Sequence, residues 1–402
     1  MRILHINTTD YGGAALCCLR IHHSLIELGI ESKVVVLEKT TDNLDIIRYG
    51  NKLKIRFYAF VSKIASTFLE LFGLWVTDRS LLKKSLIGRE GTYTFPISTI
   101  DLSKCKWVEW ADIIHLHWVN QFLDYPSFFR KVDKPIIWTL HDETLFCGIA
   151  HYRKDIIKDC PLEKKYLELK NKVIGPLRNV NIVFLSDYMR DQFKDYPIVK
   201  NKRQYVINNA VNGTDFVIYD KKKMRCKYKI PQDNIVFVFL AYDIFDERKG
   251  LKVLIEALQN NPESDRMLVL AIGGNERGNS VPDFVREMGF VNSPDILSEI
   301  MSCGDCFAMP SYQEAFAQSP MEAMACGLPV LAFPCSGTKE LIYEHNGVIC
   351  SDFTLNAFEN GIKMILSHQY NRNEIRETVI SRFSPNIIAK KYINLYSDIL
   401  SV

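Results

Sequence analysis

The sequence lacks several short motifs that mark well-known classes of nucleotide-binding protein. It contains no G-x-G-x-x-G and no G-x-x-x-x-G-K-[ST], the glycine-rich loops that hold dinucleotides and triphosphates. It also contains no D-x-D, the carboxylate pair that commonly holds a metal-bound nucleoside diphosphate. Two standard nucleotide fingerprints are therefore absent, and any diphosphate bound by this chain is expected to need no metal.

Strong net charge is lacking as well. The net charge is +3 over 402 residues, which is too small to argue for a nucleic-acid partner. With 47% hydrophobic and 24% charged residues, the composition is that of a soluble globular protein. A strand pattern starts at the first residues, with no basic segment and apolar stretch before it, so we expect no secretion signal and a cytoplasmic location.

Long uninterrupted hydrophobic runs are also missing. The longest apolar stretch, residues 57–76, contains Lys63 and Glu70, which argues against a membrane-spanning helix. Basic residues flank this stretch, as they do in helices that lie on an anionic bilayer. Residues 50–90 are therefore interpreted either as an amphipathic pair packing on its own domain or as a peripheral contact with the inner-membrane surface.

Cysteine is plentiful, but its spacing does not indicate a disulfide framework. The eleven cysteines are scattered and odd in number, which is typical of reduced thiols in a cytosolic protein. Cys303 and Cys306 form a C-x-x-C that has no second pair to complete a zinc site. We interpret them as core residues, with metal or redox chemistry as the alternative.

Short apolar runs alternate with helical patterns along nearly the whole chain, which predicts an α/β fold with doubly wound parallel sheets. A polar stretch, residues 209–233, separates two such series and suggests two Rossmann-like domains that face a cleft, residues 1–207 and 208–383. The last helical run, residues 384–402, is expected to pack back on the first domain. The predicted strands cover residues 2–7, 33–38, 111–118, 135–142, 181–186, 205–208, 234–242, 267–274, 306–311, 329–333 and 347–350.

The stretch "EAFAQSPMEAMACGLPV", residues 314–330, carries two glutamates, Glu314 and Glu322, eight positions apart. Ser319 as N-cap, Pro320 at the first helical position and Glu322 three residues after Ser319 read as a capping box. The loop follows a buried strand and leads into a helix N-terminus, which favours anions. Carboxylates held apart beside an anion and bonded to hydroxyls would suit a sugar nucleotide.

This stretch resembles the E-x7-E signature of glycosyltransferase family 4, retaining enzymes of the GT-B fold. Other segments resemble the same family, in particular the subgroup that builds bacterial exopolysaccharides of the colanic-acid type. They are "DYGGAALCCLRIHHSLIELG", "ADIIHLHWVNQFLD", "PIIWTLHDETLFCGIAHY", "VINNAVNGTDF", "AYDIFDERKGLKVLIEAL" and "PCSGTKELIYEHNGVI". The resemblance implies transfer of a sugar, with retention, from a nucleoside-diphosphate sugar to a hydroxyl of a growing, lipid-linked bacterial surface glycan.

By this resemblance three side chains would be catalytic. Glu314 would face the transferred sugar, and His141 would contact it from the first domain. Lys249, together with Arg248, would neutralise the diphosphate. A strand-end histidine is also often a packed one, and the basic pair could be a solvated helix start, although positive charge in a helix's first turn opposes its dipole.

The resemblance also implies donor-binding residues. Glu322 would bind the ribose hydroxyls, with helix capping as the alternative. Gly12 and Gly13 would let backbone amides approach the diphosphate, unless they form an ordinary tight turn. The loop after Glu314, formed by Phe316, Ala317 and Gln318, would bind phosphate through its backbone N–H groups.

The chain departs from the family pattern in places. Ala241 and Tyr242 stand where the family often has a Gly-Arg pair, which raises the importance of Lys249 and Arg248 for the diphosphate. We expect no cofactor and no metal site, and we assign structural or acceptor-side roles to His115 and His117. The alternatives are a nucleotide-sugar epimerase of the same fold and a catalytically silent glycan-binding relative.

Overall fold

The computed structural model describes residues 1–50, 78–86, 91–275, 278–335 and 337–401. It divides into two compact units, each built around one sheet. The first unit comprises Met1–Leu185, Arg190–Ile207 and Lys391–Val402, and the second comprises Ser186–Met189 and Asn208–Lys390.

Both sheets are parallel at every strand pair that the structure describes. The first sheet has the order β3-β2-β1-β4-β5-β6-β7. Its strands are β1 (Arg2–Thr9), β2 (Glu31–Glu38), β3 (Ile46–Arg48), β4 (Ile113–Leu116), β5 (Ile136–Thr139), β6 (Val180–Phe184) and β7 (Gln204–Val206). The second sheet has the order β10-β9-β8-β11-β12-β13. Its strands are β8 (Ile235–Asp243), β9 (Met267–Gly274), β10 (Val285–Gly289), β11 (Cys306–Met309), β12 (Val330–Ala332) and β13 (Gly347–Ile349).

Helices connect the strands in both units. In chain order they are α1 (Gly13–Glu27), α2 (Asp78–Ser85), α3 (Lys106–Trp110), α4 (Tyr125–Lys131), α5 (Pro161–Ile174), α6 (Asp187–Phe193), α7 (Lys221–Lys227), α8 (Leu251–Gln259), α9 (Pro294–Cys303), α10 (Gln318–Ala325), α11 (Thr338–Leu341), α12 (Leu355–Ser367), α13 (Arg372–Phe383) and α14 (Pro385–Leu400).

The prediction of two doubly wound parallel sheets is confirmed. The central strands β4, β5, β6 and β9 are buried along their whole length, as strands covered by helices on both faces must be. In each sheet the strand order reverses once, between β1 and β4 in the first and between β8 and β11 in the second. In open α/β sheets, ligands bind beyond the carboxyl ends of the strands at such a reversal.

The segment that we interpreted as packing on its own domain or lying on a membrane falls largely outside the described residues. Of residues 50–90, the structure describes Gly50 and residues 78–86. Leu81 and Leu82 of α2 pack against a buried cluster that includes Ile149 and Tyr166. Within the described ranges, the chain has no helix long and apolar enough to cross a membrane.

The eleven cysteines are free, and ten of them are buried. Cys303 ends α9 and Cys306 starts β11, where both thiols lie in the interior of the second unit. Their placement fits the interpretation as core residues.

Candidate active site

The predicted donor residues of the second unit lie at the reversal point of its sheet. Strands β8 and β11 are neighbours there and end at Asp243 and Met309. The loop after β8 carries Arg248 and Lys249, and the loop after β11 carries Glu314. Because parallel strands end at the same edge, residues far apart in sequence meet at this point.

A close backbone contact locks the two loops together. Gly250 has φ +78°, and a Cβ there would collide with the carbonyl oxygen of Pro310. The carbonyl oxygen of Arg248 accepts a 2.9 Å hydrogen bond from the Tyr312 backbone N–H. Helix α8 begins only at Leu251, so the basic pair precedes the helix instead of lying in its first turn.

Three charged side chains converge between these loops. The Lys249 Nζ lies 2.6 Å from Glu314 Oε1, and Arg248 Nη1 lies 3.5 Å from the same oxygen. Arg248 Nη1 also donates to the Gln313 carbonyl at 3.0 Å, while its Nη2 pairs with Asp246 at 3.0 Å. The side chains of Lys249, Arg248 and Glu314 are 20%, 18% and 10% exposed, so the cluster is only partly open to solvent.

Burial and charge act in opposite directions on Glu314. Burial alone would raise the pKa of its carboxyl group, but Lys249 and Arg248, with a hydrogen bond from Lys249, outweigh that effect and lower the pKa below its ordinary value of 4.5. Glu314 is therefore an ionised hydrogen-bond acceptor at neutral pH and is poorly suited to act as a general acid.

The prediction of a capping box at this loop is wrong. Helix α10 begins at Gln318, its N-cap is Ala317 with φ −66°, and no described side chain caps it. Ser319 and Pro320 therefore lie inside the first turn, and Glu322 lies too deep in the helix to close a capping box. Glu322 is 6% exposed, so its burial needs an explanation other than capping.

Glu314 also lines a small concavity, together with Phe316, Ala317, Cys335 and Gly337. Phe316 is buried, and its carbonyl oxygen accepts a 3.0 Å hydrogen bond from the side chain of Asn209. A Cβ on Gly337 would collide with the Phe316 ring. Phe316 is thus held by contacts with Asn209 and Gly337. The two residues that follow it, Ala317 and Gln318, form the start of α10.

The predicted residues of the first unit lie at the carboxyl ends of its strands. Gly12 and Gly13 follow β1; Gly12 has φ +84° and is the N-cap of α1, again without a side-chain cap among the described residues. No described atom lies within 4 Å of a Cβ built on either glycine. The positive φ is what a tight turn requires, and the open space is what an approaching ligand requires.

His141 follows β5 and is held by a second histidine. Its Nε2 lies 3.1 Å from His117 Nδ1, and the two rings stack with centroids 5.4 Å apart. Burial lowers the pKa of His141 to about 4, despite the opposing charge of Asp142. His141 is therefore neutral at pH 7 and presents an uncharged imidazole.

Sequence reasoning missed a fourth histidine of this group, in addition to His115, His117 and His141. His5 on β1 is the register partner of His115 on β4, and His5 Nδ1 lies 3.0 Å from His117 Nε2. His5 lies in the middle of "RILHIN", an apolar strand in which a lone histidine carries no spacing signal. Only the pairing of β1 with β4 could have identified it.

Comparisons with known proteins bear on the family and the fold of this chain. Residues 220–382 match the family described as Glycosyl transferases group 1. The D-inositol 3-phosphate glycosyltransferase of Corynebacterium aurimucosum is 23% identical, over 98% of this chain and 92% of that protein. The GDP-mannose:cellobiosyl-diphosphopolyprenol alpha-mannosyltransferase of Xanthomonas oryzae is 22% identical, over 79% and 81%. The structure of HepE from Anabaena in complex with UDP and glucose covers 99% of both chains with a TM-score of 0.68 at 15% identity.

The two kinds of match agree with the geometry. The structural likeness, at low identity, concerns the fold and confirms the predicted GT-B class of two Rossmann-like units. The family match spans α7 to α13 and therefore includes the whole Lys249–Arg248–Glu314 cluster and helix α10. Residues 220–382 thus match the glycosyl transferases group 1 family, in a chain that has the GT-B fold.

Proposed function

We propose that this chain is a retaining, metal-independent glycosyltransferase of family 4. It moves a sugar from a nucleoside-diphosphate sugar to a hydroxyl group of a growing, lipid-linked bacterial surface glycan. The second unit binds the donor and the first unit the acceptor. No cofactor is needed besides the donor substrate.

The observation that carries the proposal is the cluster of Lys249, Arg248 and Glu314 beside the start of α10. When the bond between sugar and diphosphate breaks, the leaving diphosphate gains negative charge, and the reaction is accelerated by groups aimed at that charge. Lys249 and Arg248 supply two positive charges, and Ala317 and Gln318 supply backbone N–H groups at the positive end of a helix dipole. Each donor of this kind is worth on the order of 10²–10³ in rate.

Glu314 orients the sugar in this proposal. Its ionised carboxylate accepts hydrogen bonds from sugar hydroxyls, and its ion pair with Lys249 fixes its position before the donor arrives. Attack from the same face as departure retains the anomeric configuration, with the leaving phosphate taking the acceptor's proton. Glu322 binds the ribose hydroxyls, and neutral His141 contacts the sugar.

The proposed donor and acceptor draw support from the relatives. HepE is solved with UDP and glucose, and the Xanthomonas enzyme is named for a GDP-mannose donor and a diphosphopolyprenol-linked acceptor. The Corynebacterium relative, in contrast, is named for a small inositol phosphate. The basic flanks of residues 57–76 favour the lipid-linked acceptor, since they suit an anionic bilayer surface. We therefore place the protein at the cytoplasmic face of the membrane.

The proposal is tested by measuring the melting temperature of the protein with UDP, GDP, ADP and their sugars. The nucleotide sugar that raises the melting temperature most is then used as donor in a transfer assay. Incubation with polyprenyl-diphosphate glycans and with soluble acceptors should give a new α- or β-linkage of the donor's own configuration. An epimerised donor without any acceptor would support the epimerase instead. Binding with neither transfer nor donor hydrolysis would support the silent relative.

Metal independence has a separate test. Transfer should continue in EDTA, because the cationic side chains and the helix start take the place of a metal at the diphosphate. Strong inhibition that Mn²⁺ or Mg²⁺ reverses would contradict this part of the proposal.

A further inference from the structure

Three buried histidines form a cluster in the first unit that the proposed transfer does not use. His5 lies in β1, His115 lies in β4 and His117 follows β4 directly. They are 0%, 0% and 2% exposed. The cluster therefore lies at the reversal point of the first sheet, where β1 and β4 are neighbours.

The nitrogens are close enough to share one ion. Each ring offers one nitrogen, and these three nitrogens all lie within 4.8 Å of one another. His5 Nδ1 and His117 Nε2 are 3.0 Å apart, and the rings of His115 and His117 have centroids 4.1 Å apart. Zn–N bonds of about 2.0–2.1 Å in a tetrahedral site place two ligand nitrogens about 3.3 Å apart, close to the 3.0 Å between His5 Nδ1 and His117 Nε2.

The cluster has the outer contacts that hold metal-binding histidines in place. His115 Nδ1 lies 2.7 Å from the Tyr396 hydroxyl, and its Nε2 lies 2.8 Å from the Thr139 hydroxyl. Whichever of these nitrogens binds an ion, the other keeps a hydroxyl partner. His117 Nδ1 meets His141 at 3.1 Å. Such contacts fix ring orientation and tautomer at metal sites.

One atom of the cluster lacks a partner. His5 Nε2 is buried and has no hydrogen-bond partner among the described residues. A buried polar atom without a partner is costly, so hydrogen bonds alone do not satisfy the cluster. The other nitrogens of the three rings have partners, which are the neighbouring histidines and the hydroxyls of Tyr396 and Thr139.

We propose that His5, His115 and His117 bind one divalent transition-metal ion, with zinc the best fit. Three imidazoles and no carboxylate select zinc, cobalt, nickel or copper, whereas magnesium and manganese prefer oxygen ligands. The sequence favoured structural or acceptor-side roles for His115 and His117, which share one strand face at a spacing of two; the structure adds His5 as a third ligand. The ion would tie β1 to β4 within the first unit.

This site is distinct from the donor diphosphate site of the second unit, and the two proposals can fail separately. If chelation removes an ion held by imidazoles, adding Zn²⁺ or Co²⁺ should restore the protein. An ion needed by the diphosphate would be restored by Mg²⁺ or Mn²⁺, as tested above.

The test measures zinc in tag-free full-length protein, produced with added zinc and dialysed, by inductively coupled plasma mass spectrometry. We expect about one zinc per chain, and a decrease of roughly tenfold or more in His5→Gln/His117→Gln. The control is His23→Gln/His345→Gln, which changes two exposed histidines and should keep the zinc. Far-UV circular dichroism checks that both variants fold.

X-ray absorption on the zinc-loaded wild-type protein decides the ligands even if the double variant does not fold. A shell of three imidazole nitrogens is expected. Zinc at background level, or a sulfur shell from the cysteines, would overturn the proposal and leave the cluster as hydrogen-bonded rings alone. Equal zinc in the wild type and in a folded double variant would overturn it as well.

Discussion

At Glu314 two large effects oppose each other, and the outcome decides its chemistry. Burial disfavours the charged form, while Lys249 and Arg248 favour it and lower the pKa below 4.5. Because the folded-state pKa is lowered, the ion pair contributes its stability above about pH 4.5, and this contribution is lost as the pH falls through the lowered value. At neutral pH the group is an ionised hydrogen-bond acceptor, as the proposed role toward the sugar requires.

Replacing Glu314 should separate catalysis from stability. In Glu314→Ala we expect transfer to fall by roughly 10²–10³ or more while the fold is kept, because Lys249 and Arg248 are partly exposed and can regain water. The measurement is kcat with saturating donor, together with the melting temperature.

Glu299→Ala is the matched control, since Glu299 pairs with Lys227 at the same 2.6 Å on the helices α9 and α7. It should lose an ion pair of similar geometry and keep full activity. Full activity in Glu314→Ala would remove the proposed role of Glu314.

At the scale of the elements, the start of α10 differs from what its sequence predicts. The pattern S-P-x-E satisfies the rules for a capping box, yet the helix begins one residue before Ser319. Local rules fail here because the preceding loop is fixed by longer-range contacts, including that of Asn209 with the Phe316 carbonyl.

The two strands that sequence reasoning missed, β3 and β10, are short, partly polar edge strands without a continuous apolar run.

The corrected helix start makes a measurable prediction. Ser319→Ala should change the free energy of unfolding by less than about 0.5 kcal/mol, the range of ordinary surface substitutions. Ser293→Ala removes the side chain that caps α9 through the Ile296 N–H, and it should cost about 1 kcal/mol. Urea unfolding of both variants measures the difference. Equal losses would mean that Ser319 does cap α10.

The turn that carries Lys249 can be tested in the same way. Gly250→Ala should lower stability and donor affinity together, because its Cβ meets the Pro310 carbonyl and its φ is positive. Gly289→Ala is the control: its φ is +68° but no described atom lies within 4 Å of the added Cβ, so it should cost only the backbone strain of about 1–2 kcal/mol. Donor affinity in Gly250→Ala equal to that of Gly289→Ala would show that the turn does not position Lys249.

At the scale of the whole molecule, the sequence was sufficient for the architecture because parallel strands buried on both faces leave an unmistakable apolar run. For the cluster of the second unit, the family resemblance named Lys249, Arg248 and Glu314, and the structure brings the three together in the loops after β8 and β11. The sequence was insufficient for His5, whose partners come from a strand more than a hundred residues away. The roles carried over from the resemblance to Gly12, Gly13, His141 and Glu322 stay predictions.

The central claim is that Lys249, beside the start of α10, binds the diphosphate of the donor. Calorimetry on the wild type, Lys249→Ala and the control Lys227→Ala, each with the preferred nucleoside diphosphate and with the free nucleoside, tests it most directly. Loss of a charge-assisted contact of about 1.5–3 kcal/mol should weaken diphosphate binding roughly 10- to 100-fold in Lys249→Ala and leave nucleoside binding unchanged. Equal weakening for both ligands, or unchanged diphosphate binding, would contradict the claim.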